Sequence, residues 1–314
     1  MDVITIGESM VLFTPQSVGA LRFSDTFHRT IGGAESNVAI ALSRLGHQAG
    51  WMSRLGNDEF GIYIRNYIRG EGVDTSAVKF DCSSPTAVFF KETNPGKDPK
   101  IYYYRKHSAA SALSPDDVDE AYLSKARFIH LTGITPALSA SCKDTIYKVI
   151  ELAQRNKQTL VFDPNVRLKL WSKEEASNVL FDIAMQCDIV MPGLSEGKLL
   201  TGEKTPEKIA GKLLQGNAKA VVIKLGESGA YYQTKEENGY VSGEKVTKVM
   251  DTVGAGDGFA AGFLSGLLRG WDYQKSVALG NKLGAYALTV TGDTEGYPYW
   301  SEINPDDSEE VVLR

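Results

Sequence analysis

The amino-acid sequence predicts an α/β fold, a parallel sheet covered by helices on both faces, with a small second β-sheet attached. Three observations carry this expectation. Short apolar strands alternate with amphipathic helices near the start of the chain. Between about residues 84 and 108 strand-like segments follow one another with no helix between them. After Pro115 the alternation resumes and continues almost to the end.

Taken in order, Val3, Ile4 and Ile6 mark a short buried strand ended by Gly7. Val38, Ala41, Leu42 and Leu45 recur at helical spacing over residues 33–45, and Gly46 stops that helix. Residues 51–55 read as a strand, and Phe60, Ile64, Tyr67 and Ile68 mark one face of a second helix. Residues 86–92 and 100–106 are strand-like and flank a stretch containing Asn94, Pro95, Gly96, Asp98 and Pro99, the composition of a hairpin turn. Residues 11–13 and 20–30 add strands beside them. Strands are then expected at 127–131, 159–162, 188–191, 220–224 and 230–233, with helices at 139–155, 257–268 and 273–289. The acidic stretch 304–314 is expected to fray. No linker divides the 314 residues, so one domain is expected, with the small-sheet strands at roughly 10–31 and 84–108 within it.

Composition narrows the function. A hydrophobic share of 42% and a charged share of 23% are those of a soluble globular protein. The net charge of −5 argues against general nucleic-acid binding, while leaving room for a local basic pocket. No stretch is long and apolar enough to span a bilayer. Cys82, Cys142 and Cys187 form no framework, and Met1-Asp2-Val3 carries an acid where a secretory signal would carry bases, so the cytoplasm is the expected compartment. The four histidines show no metal-ligand spacing.

The strongest motif is Asp251-Thr252-Val253-Gly254-Ala255-Gly256-Asp257. Its small residues let successive backbone N–H groups converge on an anion, and a helix starting there adds the positive end of its dipole. Asp257 inside such a turn has two readings. It is either a helix N-cap or a base placed to take a proton from a hydroxyl that attacks a phosphoryl group. Neither GxxxxGK[ST] nor a dinucleotide fingerprint occurs.

The turn, together with Gly32-Gly33-Ala34-Glu35-Ser36-Asn37 and Leu55-Gly56-Asn57-Asp58, resembles the ribokinase (PfkB) family of carbohydrate kinases, in order and spacing from Gly7 to about Gly296. The resemblance implies a ribokinase-like three-layer fold with a small β-sheet lid, and phosphoryl transfer from ATP with Mg²⁺. It implies Asp257 as general base and Gly254, Ala255 and Gly256 as the anion hole. It also implies Lys224, Gly226, Ser228 and Gly229 as a loop beside ATP, with Asn281 near adenine and Asn165 and Ser195 on the nucleotide side. Where the family has Asn-x-x-Glu this chain has Gly193-Leu194-Ser195-Glu196, so Glu196 is carried over only as an indirect metal group.

Asp163-Pro164-Asn165-Val166-Arg167 and Tyr102-Tyr103-Tyr104-Arg105 are similar to the 2-keto-3-deoxygluconate kinase branch. That resemblance implies a sugar-acid pocket formed by Gly33, Ala34, Asn37, Phe90, Tyr103, Tyr104, Arg105 and Arg167, with Arg167 reading the carboxylate, a role suited to a planar guanidinium. A neutral-sugar kinase and a non-catalytic sensor on the same fold are the alternatives. The aromatic lid strands also lead to an expected homo-oligomer.

Overall fold

Strand sequences here carry apolar side chains on both faces, and a computed structural model shows what each face meets. It describes residues 1–92 and 100–304. In strand β1 (Val3–Ile6), Val3 packs into one core and Ile4 and Ile6 into another. In β9 (Thr159–Asp163), Val161 faces the first core, and Leu160 and Phe162 the second. This two-sided burial is that of a central sheet between helical layers. Helices Ala34–Arg44, Glu59–Gly70, Ala255–Leu268 and Tyr273–Ala287 supply one layer. Ala140–Arg155, Lys173–Gln186 and Pro206–Leu213 belong to the other.

The sheet contains, in spatial order, β13 (Asn238–Val241), β12 (Ala230–Thr234), β11 (Ala220–Lys224), β10 (Ile189–Val190), β9, β8 (Phe128–Thr132), β1, β4 (Ala49–Gly56) and β5 (Val78–Asp81). From β11 to β5 every pairing is parallel. β12 and β13 extend that edge antiparallel. The carboxyl ends of β9 and β11 therefore open on the same side, where open α/β sheets place their sites.

A second sheet has the order β3 (Phe27–Gly32), β2 (Met10–Pro15), β6 (Val88–Glu92), β7 (Lys100–Tyr104). The expected hairpin is present as the antiparallel β6–β7 pair, while its turn over residues 93–99 lies outside the described residues, as do 305–314 of the acidic end. Alternation decides which residues of this small sheet look inward. Ala87 and Phe89 pack with Met10 and Leu12 in a small core of their own. Phe90 points the other way, stacked on Phe13 at 5.2 Å between ring centres and edge-on to Phe27 and Tyr104.

Two boundaries differ from expectation. The strand expected over 188–191 is only Ile189–Val190; the Met191 N–H still bonds the Phe162 carbonyl of β9 at 2.9 Å, and Pro192, which has no N–H, follows. The helix expected from residue 257 starts at Ala255 with Gly254 as its N-cap. Asp257 is thus inside the first turn, and the N-cap reading of its carboxylate is overturned. No helix among the described residues is long and apolar enough to cross a membrane, and the three cysteines are unpaired.

Candidate active site

The turn before helix Ala255–Leu268 has a specific backbone requirement. Gly254 has φ +80°, and a Cβ there would stand 2.3 Å from the carbonyl oxygen of Asp293, so only glycine fits. Tyr297, buried, donates its hydroxyl to the Gly254 carbonyl at 2.7 Å and fixes the turn from behind. The N–H groups of the first helical turn are left free of helical partners, the arrangement that binds anions. A Cβ on Gly256 would meet only the Lys224 ammonium, at 3.8 Å. The cation at the end of β11 thus stands beside the turn.

Asp257 is buried and accepts a hydrogen bond from Asn37 Nδ2 at 2.8 Å. Burial raises its pKa to about 7. Asp163 and Asp293 push in the same direction, while Asn37 and Arg167 oppose. Asn37 also reaches Asp293 at 3.5 Å. Asp293 is raised to about 7 as well, again chiefly by burial. Lys224 donates to Asp163 Oδ2 at 2.6 Å. Burial works most strongly against its charge, but the carboxylates of Asp163 and Glu196 overcome it and raise the Lys224 pKa. Asn165 holds φ +34°, a left-handed conformation that asparagine tolerates, and its N–H bonds Asp163 Oδ1 at 3.2 Å.

These groups line one cavity of about 1310 Å³ between the two sheets. Of the residues singled out in the sequence, Gly33, Ala34, Asn37, Tyr103, Arg105 and Arg167 meet there with Asp257. Gly254, Gly256, Lys224, Asn165 and Glu196 line the same space, with Ala255 in the turn between the two glycines. Gly33 permits the close approach of two segments, since a Cβ on it would stand 2.3 Å from the Glu8 carbonyl oxygen. Phe90 and Tyr104 do not line the cavity. Both lie on the outer face of the small sheet, and Phe89 and Tyr103 take the inner positions.

The two arginines differ. Arg105 is nearly buried and paired with Glu8, whose other oxygen accepts from Ser108 at 2.7 Å. Arg167 is exposed at the end of β9 and pairs with no carboxylate among the described residues.

The remaining nucleotide-side residues gather nearby. Gly226 and Ser228 form an exposed single turn after β11. Gly229 follows, pressed so close to the end of β13 that a Cβ on it would stand 2.1 Å from the Val241 carbonyl oxygen. Asn281 donates to the Val241 and Ser242 carbonyls at 3.2 and 3.0 Å, so its amide ties the end of β13, against which Gly229 is pressed, to helix Tyr273–Ala287. Ser195 is exposed and outside the cavity lining.

The sequence reading missed Asp293, Glu8, Glu35 and Phe89 as lining residues. Phe89 was legible from strand alternation. Asp293 sits in a turn-rich tail with no periodicity to announce it.

The model of the pfkB family carbohydrate kinases matches residues 2–300. The chain belongs to that family. Its relatives resemble it over nearly their whole length. A 2-dehydro-3-deoxygluconokinase of Bacillus subtilis (strain 168) is 44% identical, the match covering 95% of this chain and 93% of the relative. The crystal structure of a 2-dehydro-3-deoxygluconokinase of Thermotoga maritima is 28% identical with a TM-score of 0.90, covering 97% of each chain. An Escherichia coli protein described as a ribokinase II, crystallised with ATP and Mg²⁺, is 28% identical with a TM-score of 0.89, covering 97% of this chain and 98% of its own.

Proposed function

We propose that this family member transfers the γ-phosphoryl group of ATP to the 6-hydroxyl of 2-keto-3-deoxygluconate. The observation that carries the reading is the pairing, in one cavity, of a buried carboxyl with a pKa of about 7 and an uncommitted arginine. The first suits a base for an attacking hydroxyl and the second suits a substrate carboxylate.

Asp257 accepts the proton of the sugar hydroxyl as its oxygen bonds the γ-phosphorus. The bond from that phosphorus to the bridging oxygen breaks, and ADP leaves with the electron pair. Asn37 holds the carboxylate of Asp257 in register through its amide. The amides of the first helical turn face the charge on the transferring group, where prearranged donors contribute most. Lys224, charged and next to Gly256, adds a cation on the nucleotide side.

The donors facing the cavity fit a hydrated Mg²⁺ better than a directly ligated one. Among the described residues no cluster of three or more His, Cys, Asp or Glu side chains is gathered to hold a metal. Glu196 accepts backbone N–H bonds from Val166 and Gly193, both at 2.8 Å. Asp163 is bonded to Lys224. Glu196 and Asp163 would thus meet the ion through its waters, with phosphate oxygens as direct ligands. When bound, Mg²⁺ supplies charge neutralisation on the phosphates.

The whole chain serves this reaction as one unit, with the small sheet as the lid over the sugar. The edge strand β7, exposed along most of its length, supports a self-paired homo-oligomer.

The test is a coupled ADP-release assay with the gluconate- and galactonate-derived keto acids and with fructose. Turnover on the keto acids above that on fructose supports the proposal, and preference for fructose overturns the substrate. Arg167→Ala should raise KM for the keto acid at least about tenfold, the scale of losing a charge-assisted bond, and leave KM for a neutral sugar nearly unchanged. Equal effects on both would remove Arg167 from carboxylate recognition.

A further inference from the structure

One buried cation of the small sheet has no part in the reaction just described. Lys91, on β6, is 2% exposed, and its ammonium is paired with the Asp251 carboxylate. The two residues lie 160 positions apart in the chain. Asp251 opens the phosphate-binding turn. Its Oδ1 accepts the Val253 N–H at 3.2 Å, one residue before Gly254, and its Oδ2 accepts the Gly292 N–H at 3.4 Å. Next to Gly292 stands Asp293, buried, lining the cavity, with Oδ1 lacking a hydrogen-bond partner. Two buried carboxyls thus back the segment whose amides face an anion. Lys91 is the cation that Asp251 pairs with, and its charge also acts on Asp293.

Stability alone does not account for a lysine here. Well-packed apolar groups usually replace a buried ion pair with no loss of stability, or with a gain. What an apolar residue could not do is offset negative charge directly behind a site that must accept more of it. In a low-dielectric interior that offset is felt strongly at short range. The cation also arrives on a strand of the small sheet, so the charge balance of the turn depends on that sheet being seated.

We propose that Lys91 is a positioning residue for phosphoryl transfer, its ammonium balancing Asp251 and Asp293 and so tuning the turn for the transferring phosphate. This rests on the phosphoryl-transfer reading above and is independent of which sugar is used. Lys91 is buried and does not line the cavity. Its effect is exerted through Asp251 on the geometry and charge of the turn.

The experiment compares wild type, Lys91→Met and the charge-balanced pair Lys91→Met with Asp251→Asn, reading kcat, both KM values and melting temperature. Met keeps the length of the stem without charge, and Asn keeps an acceptor for the Val253 N–H. Lys91→Met is expected to lose roughly 10- to 100-fold in kcat, somewhat less than loss of a direct oxyanion donor, with either KM moving less than about threefold. The double variant is expected to regain most of that kcat along with its melting temperature. A wild-type kcat in Lys91→Met overturns the proposal. So does a double variant that regains its melting temperature while kcat stays at the level of the single. If Lys91→Met alone does not fold, the double variant decides, since it leaves no unpaired charge at position 251: a kcat within a few-fold of wild type supports the proposal, and a kcat about 10-fold or more lower in a folded double variant overturns it. A wild-type enzyme that turns over no sugar in the panel defeats the kinase reading itself, an outcome distinct from either of these.

Discussion

Asp257 combines two demands that pull against each other, burial and ionisation. Its carboxyl is buried at the cavity wall, where water solvates the charge poorly, and its pKa rises to about 7 for that reason first. As the proposed base it works only when deprotonated, so kcat/KM is expected to climb through about pH 7 and level off above it, in a pH series on the free enzyme. Asp257→Asn should lower kcat by roughly 10²- to 10⁴-fold and flatten that limb. The same substitution has an opposite effect on stability. Between the unfolded value of 3.8 and the folded value of about 7, the native chain holds a proton that the unfolded chain has released. Stability from this group is therefore full below pH 3.8 and is lost as pH rises through 7. A neutral amide at this position escapes that loss. The Asp257→Asn variant should melt above wild type at pH 8, with the difference shrinking toward pH 5, in thermal unfolding at both pH values. A variant that melts lower at pH 8 would show that the carboxylate is not strained by burial.

At the scale of elements, the small sheet shows how much a two-residue period decides. Phe89 and Tyr103 face the cavity, while Phe90 and Tyr104 belong to an outer cluster with Phe13 and Phe27. Phe90→Ala should cost roughly 2 kcal/mol of stability, less than a full core truncation, and leave KM for the sugar unchanged. Tyr103→Ala should raise that KM with little change in melting temperature. Denaturant titration and steady-state kinetics on the two variants separate these outcomes. The parallel sheet, its flanking helices and the interrupting hairpin were legible in the sequence because periodicity reports which side of an element is buried. The motif at 251–257 was legible because glycine marks backbone geometry directly. What stayed hidden was contact across the chain. Lys91 follows Ala87 and Phe89 at the two-residue spacing of the inward face, which is a local anomaly, but only the fold shows that Asp251 answers it. Helices Lys173–Gln186, Leu194–Thr201 and Pro206–Leu213 and the edge strands β5 and β13 also went unread. The strands are short, and the apolar stripes of these helices are narrow.

For the whole molecule the question is how a protein of net charge −5 receives two anionic substrates. The answer is local. Lys100, Arg105, Lys106, Arg167, Lys169 and Lys224 all line the cavity. Six carboxylates among the described residues line it too, but they are buried or half-buried, with Glu8 and Asp163 paired to Arg105 and Lys224. Lys100, Lys106, Arg167 and Lys169 are exposed, so within a Debye length, roughly 8 Å at physiological salt, the mouth of the site is positive. KM for the keto acid is expected to rise severalfold between about 0.05 and 0.5 M salt, with KM for a neutral sugar nearly flat. Equal salt sensitivity would assign the effect to ATP instead.

The bond from Asn37 to Asp257 spans 220 residues, and the tie from Lys91 to Asp251 spans 160. A chain leaving the ribosome carries Asn37 and Lys91 long before their partners exist. Through most of synthesis neither Asp257 nor the turn before it has been made. Closing such long loops is also what slows folding of this topology. An incomplete chain holds neither the carboxylate proposed to take the proton nor the turn proposed to receive the phosphate. ATP is safe from it until the last part of the sequence has folded back onto the first.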